Sequence, residues 1–274
     1  MLSEKEHIRL TKVSSEVRKK ILSIICKAHA SHIGSAYSVV EILVYLYEKI
    51  IRIDRNKPWD IKRDRLILSK GWGVSALYTV LAHKRVIDGT FEALYCSDES
   101  KYVGIATKNG LPGLEATTGS MGHGLPIGVG MSLAAKLRHQ KYRVFVILGD
   151  GELDEGSTWE AILQAAHFKL DNLVVIVDCN GWQSYGRTRD VLNLAPIRSK
   201  FESFGWKGIE TDGHNFFQLE KSFRTLPLEK GKPTVIVAKT IKGKGVASFE
   251  DKNEWHYKTP GDKEIEIAIK ELTN

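Results

Sequence analysis

Residues Val144–Trp182, VFVILGDGELDEGSTWEAILQAAHFKLDNLVVIVDCNGW, decide how the chain is read. The apolar, β-branched run Val144 to Leu148 has the pattern of a buried parallel strand. It stops at Gly149-Asp150-Gly151, where two glycines flank a carboxylate and allow the backbone to approach an anion closely. Ser157-Thr158-Trp159-Glu160 fits the capping-box pattern and predicts a helix running to about Lys169. A second buried strand, Leu173 to Val177, leads into Asp178-Cys179-Asn180. Together these make a strand–helix–strand unit of an α/β fold, with polar residues at the carboxyl ends of both strands, where open sheets bind ligands.

Asp150 and Asn180 lie thirty positions apart, and neighbouring parallel strands would bring their oxygens together. A carboxylate, an amide oxygen and a nearby backbone carbonyl, for which Trp182 is the candidate, form a hard-oxygen set suited to Mg²⁺ or Ca²⁺. So sparse a set leaves coordination positions for phosphate oxygens and water. The expected ligand is therefore a diphosphate carried on a metal. A lone Gly-Asp-Gly occurs in many turns, whereas the complete strand, Gly-Asp-Gly, helix, strand, Asp-x-Asn unit is far more specific.

Gly-Asp-Gly followed by Asn about thirty residues on resembles the thiamin diphosphate signature, and GDGELDEGSTWEA resembles the N-terminal, diphosphate-binding half of transketolases. The likeness continues through His32-Ile33-Gly34-Ser35, through Asp64 to Gly71, through Thr117 to Gly124, and through Lys242-Gly243-Lys244-Gly245 with Trp255-His256. It implies a thiamin diphosphate-binding fold of three layers with a mostly parallel central sheet, binding thiamin diphosphate and Mg²⁺ or Ca²⁺. It implies that His32 faces substrate, and that Lys242 and His256 approach the cofactor, with His256 open to acid–base work. Lys70, at a helix start that favours anions, adds charge beside the phosphates. Gly119, Gly149, Gly151 and Glu152 are cofactor neighbours by the same likeness, and Met121 takes the place of an apolar side chain packed on the thiazolium ring. Glu155 falls where relatives gather acidic residues between two active sites. Glu160 ranks below it, having a capping job already.

Two positions depart from the family. Trp72 stands where a histidine follows the Lys-Gly pair and reaches the diphosphate, and Ile105 stands where Gly-His-Pro supplies a histidine to the donor hydroxyls. An indole has one N–H and no acceptor, and isoleucine forms no hydrogen bond. A site without a partner for a substrate hydroxyl loses its discrimination for that hydroxyl.

The remaining sequence frames this unit. Residues 3–30 carry apolar positions at helical spacing and read as an amphipathic N-terminal extension, in a chain with no linker, repeat or low-complexity segment. One domain over 1–274 is expected. Val39–Ile50 reads as a core helix, Leu66–Leu68 as a strand, and Leu125–Leu137 as a helix of small residues. Strands at Trp206–Glu210 and Pro233–Ala238 with a helix at Phe216–Leu226 continue the parallel sheet, and Gly261–Asn274 reads as a surface helix. The charge of +7 is interleaved with acids and comes with no aromatic-plus-basic nucleic-acid motif. Three cysteines without paired spacing, no signal core and no membrane-length apolar run fit a cytoplasmic protein with neither nucleic acid nor membrane as partner.

Thiamin diphosphate chemistry also requires a glutamate beside the aminopyrimidine, which transketolases carry in a second domain. No second strand–helix series follows here. The resemblance therefore implies the N-terminal subunit of a split transketolase, working on sugar phosphates in a dimer of heterodimers with a C-terminal, pyrimidine-binding subunit. A specialised ketolase with a changed donor or acceptor is the second reading, motivated by Trp72 and Ile105. A silent assembly subunit is the third, and the intact Asp150/Asn180 pair speaks against it. A nicotinamide dehydrogenase is disfavoured because the Val144 strand lacks GxGxxG.

Overall fold

Apolar β-branched runs pair into one parallel sheet in the order β1-β2-β3-β7-β6, with β1 at Arg65–Leu68, β2 at Val144–Gly149, β3 at Leu173–Cys179, β6 at Lys207–Asp212 and β7 at Thr234–Lys239. A small antiparallel hairpin, β4 (Trp182–Gln183) and β5 (Gly186–Arg187), hangs from the tip of β3. The structure, a computed structural model, describes residues 2–273. Met1 and Asn274, the outer ends of the predicted terminal segments, lie outside the described residues.

The sheet is buried on both faces, which is why β2 and β3 are apolar at successive positions, Val144–Leu148 and Leu173–Val177, rather than at alternate ones. Side chains still alternate by pleat. Leu66, Leu68, Phe145, Ile147, Val174, Ile176 and Ile236 enter one core, and Ile67, Val144, Val146, Leu148, Val175, Val177 and Val235 enter the other. The first core is covered by helices Glu4–Lys27, Val40–Tyr45, Val74–His83 and Phe216–Phe223. The second is covered by Gly124–Leu137, Gly156–His167 and Ile197–Ser203. Three layers result, as the resemblance implies.

Several boundaries differ from the sequence reading. The N-terminal helix runs Glu4–Lys27, capped by Ser3, and buries Leu10, Val17, Ile21 and Ile25 in the first core. The predicted helix over 39–50 is α-helical only to Tyr45, and Leu46–Ile50 forms a π-turn closed by the Ile51 amide on the Leu46 carbonyl at 2.8 Å. The capping box is absent. The helix starts one residue early, at Gly156, and Ser157 Oγ instead donates to the Gly122 carbonyl at 2.9 Å. A tertiary contact with the glycine-rich loop replaces the local cap, and Glu160 is exposed. Strand β6 is shifted toward Asp212 because Trp206 leaves the ladder, buries its ring in the second core and donates Nε1–H to the Ile162 carbonyl at 2.9 Å.

A buried polar chain ties the N-terminal helix to the loop after β7. Arg18 donates to both oxygens of Glu41 at 2.6 and 2.8 Å. His214 Nδ1 meets Glu41 Oε2 at 2.8 Å, while His214 Nε2 accepts the Ile241 N–H at 2.9 Å, so the shared proton of the first contact sits on Nδ1. Burial alone would raise the Glu41 carboxyl, but Arg18 and His214 hold it at about 2, below its ordinary 4.5. A carboxyl depressed in the fold adds stability above its unfolded value and loses it as pH falls through the folded one. The Glu41→Gln penalty, read by urea unfolding, is expected to be about 3–5 kcal/mol near neutrality and to shrink as pH falls from 4.5 toward 2. A penalty constant across that window would contradict the assigned network.

Candidate functional site

The register of the two central strands builds the site. Gly149 of β2 pairs with Asp178 of β3, so Asp150 emerges beside Asp178 at the buried carboxyl edge of the sheet. Each carboxylate meets a different fate. Asp178, fully buried, forms an ion pair with Lys70, and accepts from Ser38 Oγ at 2.7 Å and from Thr240 Oγ1. Burial would raise its pKa, but Lys70 and these hydroxyls hold it below its ordinary range. The Lys70 ammonium also donates to the Ser35 carbonyl at 3.0 Å and to Ser38 Oγ at 3.2 Å, so its three N–H groups are committed to the protein.

Asp150 has no such counter-ion among the described residues. Its Oδ2 accepts the Gly181 N–H at 2.7 Å and its Oδ1 the Gly151 N–H at 3.1 Å. Asn180 Oδ1 accepts the next amide, that of Trp182, at 3.0 Å. Consecutive amides thus draw the two side-chain oxygens to one loop. Burial, and then the neighbouring Asp178, push the Asp150 carboxyl up to about 7. A buried carboxylate next to another carboxylate is the environment that a divalent cation relieves. Among the described residues no three His, Cys, Asp or Glu converge as a metal cluster. The donors that remain, the Asp150 carboxylate, the Asn180 amide oxygen and backbone carbonyls, are hard oxygens of the kind that suit Mg²⁺ or Ca²⁺.

These residues line a cavity of about 300 Å³. Of the residues singled out from sequence, His32, Lys70, Met121, Gly149, Asp150, Gly151, Glu152, Asn180, Trp182 and His256 border it. Glu152 turns inward, its Oε1 accepting from Ser69 Oγ and from the Gly122 N–H at 3.0 Å, and burial raises its pKa. Larger grooves near Glu48 and His83, and near Glu210 and Lys239, are more open to solvent and are lined by neither Asp150 nor Asn180.

Three expected site residues do not border the cavity. Lys242 is buried one layer behind, where its ammonium donates to His256 Nδ1 at 3.0 Å. Gly119, with φ of +119°, is roofed by Ile105, whose Cδ1 fills the space an added Cβ would take, so this glycine makes room for a side chain rather than a ligand. Glu155 precedes the helix Gly156–His167 and packs beside Gly122, outside the pocket. Gly151 likewise serves packing, since a Cβ there would meet Gln183 Cβ at 2.7 Å.

The far wall is aromatic. Trp72 does point inward and stacks on His32, with ring centroids 5.9 Å apart and planes at 19°. His32 meets His256 edge-on at 5.1 Å, and Tyr257 closes against both. Burial first, and the Lys242 charge second, lower His32 to about 4 and His256 to about 3, so both imidazoles are neutral at neutral pH. Because Lys242 can only donate to Nδ1, His256 carries its proton on Nε2. Ser35, Gln183, Ser184 and Tyr257 complete the lining and were not singled out as site residues from sequence. Ser35 closes the His32-to-Ser35 motif and was within reach. The hairpin residues carry no sequence signal of their own.

The fold and this pocket define a cofactor-binding α/β domain, and the chain belongs to the transketolase N-terminal domain family: residues 10–273 match the family described as "Transketolase, thiamine diphosphate binding domain". It is 38% identical over 260 residues to an apulose-4-phosphate transketolase subunit from Phocaeicola vulgatus, covering 95% of this chain and 92% of that protein. It is 35% identical to the 6-deoxy-6-sulfo-D-fructose transketolase subunit SqwG of a Clostridium species, covering 97% of each. The transketolase of Leishmania mexicana superposes with a TM-score of 0.89 at 25% identity, over 97% of this chain and 41% of that one. The chain thus spans about two-fifths of the solved single-chain transketolase and nearly all of the two subunits.

Removing the Lys70 charge should strand Asp178 in the core. Lys70→Met is expected to lower unfolding free energy by about 3–5 kcal/mol, read by urea denaturation, with Lys70→Met/Asp178→Asn recovering most of the loss. Equal stability of the single variant and the native chain would contradict the buried pair.

Proposed function

We propose that this chain is the N-terminal, diphosphate-binding subunit of a two-subunit transketolase, moving a two-carbon ketol unit from a ketose phosphate to an aldose phosphate. The observation that carries this reading is the convergence of Asp150 and Asn180 on consecutive amides at adjacent strand tips. Asp150, Asn180 and the Trp182 carbonyl would hold Mg²⁺ or Ca²⁺, and that ion would hold the diphosphate. When bound, thiamin diphosphate supplies a nucleophilic carbon that also serves as an electron sink.

The chain's own residues supply orientation and dryness. Neutral His256 offers Nε2–H toward the cavity, with Lys242 fixing its tautomer from behind, and neutral His32 stands beside it as a second polar group for substrate oxygens. Trp72 and Met121 give the pocket apolar walls that exclude water. The partner would be a separate C-terminal, pyrimidine-binding subunit, and a dimer of heterodimers is the assembly we infer, with Glu155 near its centre. The subunit designations of two relatives of matching length support this split arrangement. No helix among the described residues is long and apolar enough to cross a membrane. The three free cysteines support a cytoplasmic setting.

A changed donor or acceptor is favoured by two observations. Trp72 borders the cavity and Ile105 packs over Gly119 on the same side as the indole, and neither can accept a hydrogen bond from a sugar hydroxyl. Two relatives are named for different unusual ketoses, apulose 4-phosphate and 6-deoxy-6-sulfofructose. Trp72→His in the two-subunit enzyme is expected to shift relative kcat/KM toward hydroxyl-rich ketose phosphates. An unchanged ranking of donors would remove this second reading.

The primary test is cofactor uptake. Asp150→Ala is expected to weaken divalent-dependent thiamin diphosphate binding by more than about 100-fold, measured by calorimetry on the assembled subunits, with far-ultraviolet circular dichroism unchanged. Native affinity in that variant would defeat the assigned site.

A further inference from the structure

The loop that carries Asn180 continues into the β4–β5 hairpin, whose residues Trp182, Gln183 and Ser184 border the cavity. A two-residue-per-strand hairpin cannot hold its own position, so something must press it onto the site. That contact comes from the segment before His256. Arg187, at the base of β5, lies over the Trp182 ring at 3.9 Å and donates to both oxygens of Asp251 at 2.6 Å each. Trp182 Nε1–H reaches Asp251 Oδ1 at 2.8 Å. Next to them, Asn253 Nδ2 donates to the Ser184 carbonyl at 3.0 Å.

Asp251 is also unusual in its backbone. Its φ is +59°, a left-handed conformation that costs a non-glycine residue energy and persists only when its surroundings fix it. In that conformation its own N–H donates to the Lys242 carbonyl at 2.9 Å. One residue thus touches two arms of the site. Its carboxylate holds the indole of Trp182, two positions from Asn180, and its amide holds the backbone of Lys242, whose ammonium orients His256.

We propose that Asp251, together with Arg187, is a positioning residue of the metal–diphosphate site: it clamps the Trp182 turn and ties it to the Lys242–His256 arm, so that the oxygens meant for the cation are pre-organised. This rests on the reading of Asp150 and Asn180 given above. The bland alternative is an ion pair on a half-exposed surface, which contributes little to anything. The two differ in what they move. A surface pair changes stability slightly, whereas a clamp on the metal turn changes metal affinity while the fold stays put.

The test uses the assembled two-subunit enzyme with Mn²⁺ and thiamin diphosphate as the probe. Free Mn²⁺ is read by electron paramagnetic resonance, and the turn by tryptophan fluorescence referenced to Trp182→Phe. Asp251→Asn keeps a side chain that tolerates the left-handed backbone and still accepts from the indole, but loses the charge paired with Arg187. Arg187→Lys loses the bidentate fork and the stacking. Each is expected to raise the Mn²⁺ dissociation constant about fivefold, the scale of one exposed but well-formed pair. The double variant should add little beyond either single, and the thermal midpoint should move by no more than in Lys20→Met, a surface pair far from the pocket. Native Mn²⁺ affinity in both single variants would overturn the clamp and leave the site reading intact. Failure of the native two-subunit assembly to take up Mn²⁺ with thiamin diphosphate would overturn the site reading, and the clamp with it.

Discussion

Two carboxylates forced side by side at a buried sheet edge are the constraint on which this protein turns. The β2–β3 register leaves no choice, since Gly149 paired with Asp178 brings Asp150 next to it. Water is excluded there, so each charge needs a partner or a proton. Lys70 satisfies one of them while donating to the Ser35 carbonyl and the Ser38 hydroxyl, and Thr240 donates to the same carboxylate, so the network reaches from the Ser35 helix to the loop after β7. The other, Asp150, has no counter-ion among the described residues; it and Asn180 accept consecutive amides of one turn, which Asp251 contacts through the Trp182 indole.

From that division of labour follow the roles of the more distant parts. Lys70 borders the cavity, but its N–H groups are committed to Asp178, Ser35 and Ser38. Lys242 plays a related part at second hand, buried behind His256 and setting which ring nitrogen faces the cavity. On the proposed reading, the positive charge that a diphosphate would meet would therefore be mostly that of a bound metal ion. The imidazoles contribute as neutral hydrogen-bonding groups, and the stacked Trp72 holds His32 flat against the pocket wall.

Much of this was legible in the sequence. The buried strands announced themselves as continuous β-branched runs, and Asp150 and Asn180 follow from strand geometry alone. What failed to be legible has a common cause. The capping box at Ser157 and Glu160 has the right local pattern, yet Ser157 is taken by the Gly122 carbonyl, a contact across thirty-five residues. Gly119 lies outside the cavity under Ile105, and Gly151 borders it while also leaving room for Gln183, a packing role that no motif signals. Lys70 and Lys242 look like phosphate lysines and are spent on Asp178 and His256. A motif declares which residue types gather at a site. Which of them face the ligand is decided by side-chain competition that no spacing rule records.

The most direct measurement is a crystal structure of the assembled subunits soaked with Mn²⁺ and thiamin diphosphate, using anomalous scattering to find the ion. The account predicts an anomalous peak bonded to an Asp150 carboxylate oxygen and to Asn180 Oδ1, with diphosphate oxygens completing its shell. A peak elsewhere, or a bound diphosphate held by lysines with Asp150 free of metal, would contradict it.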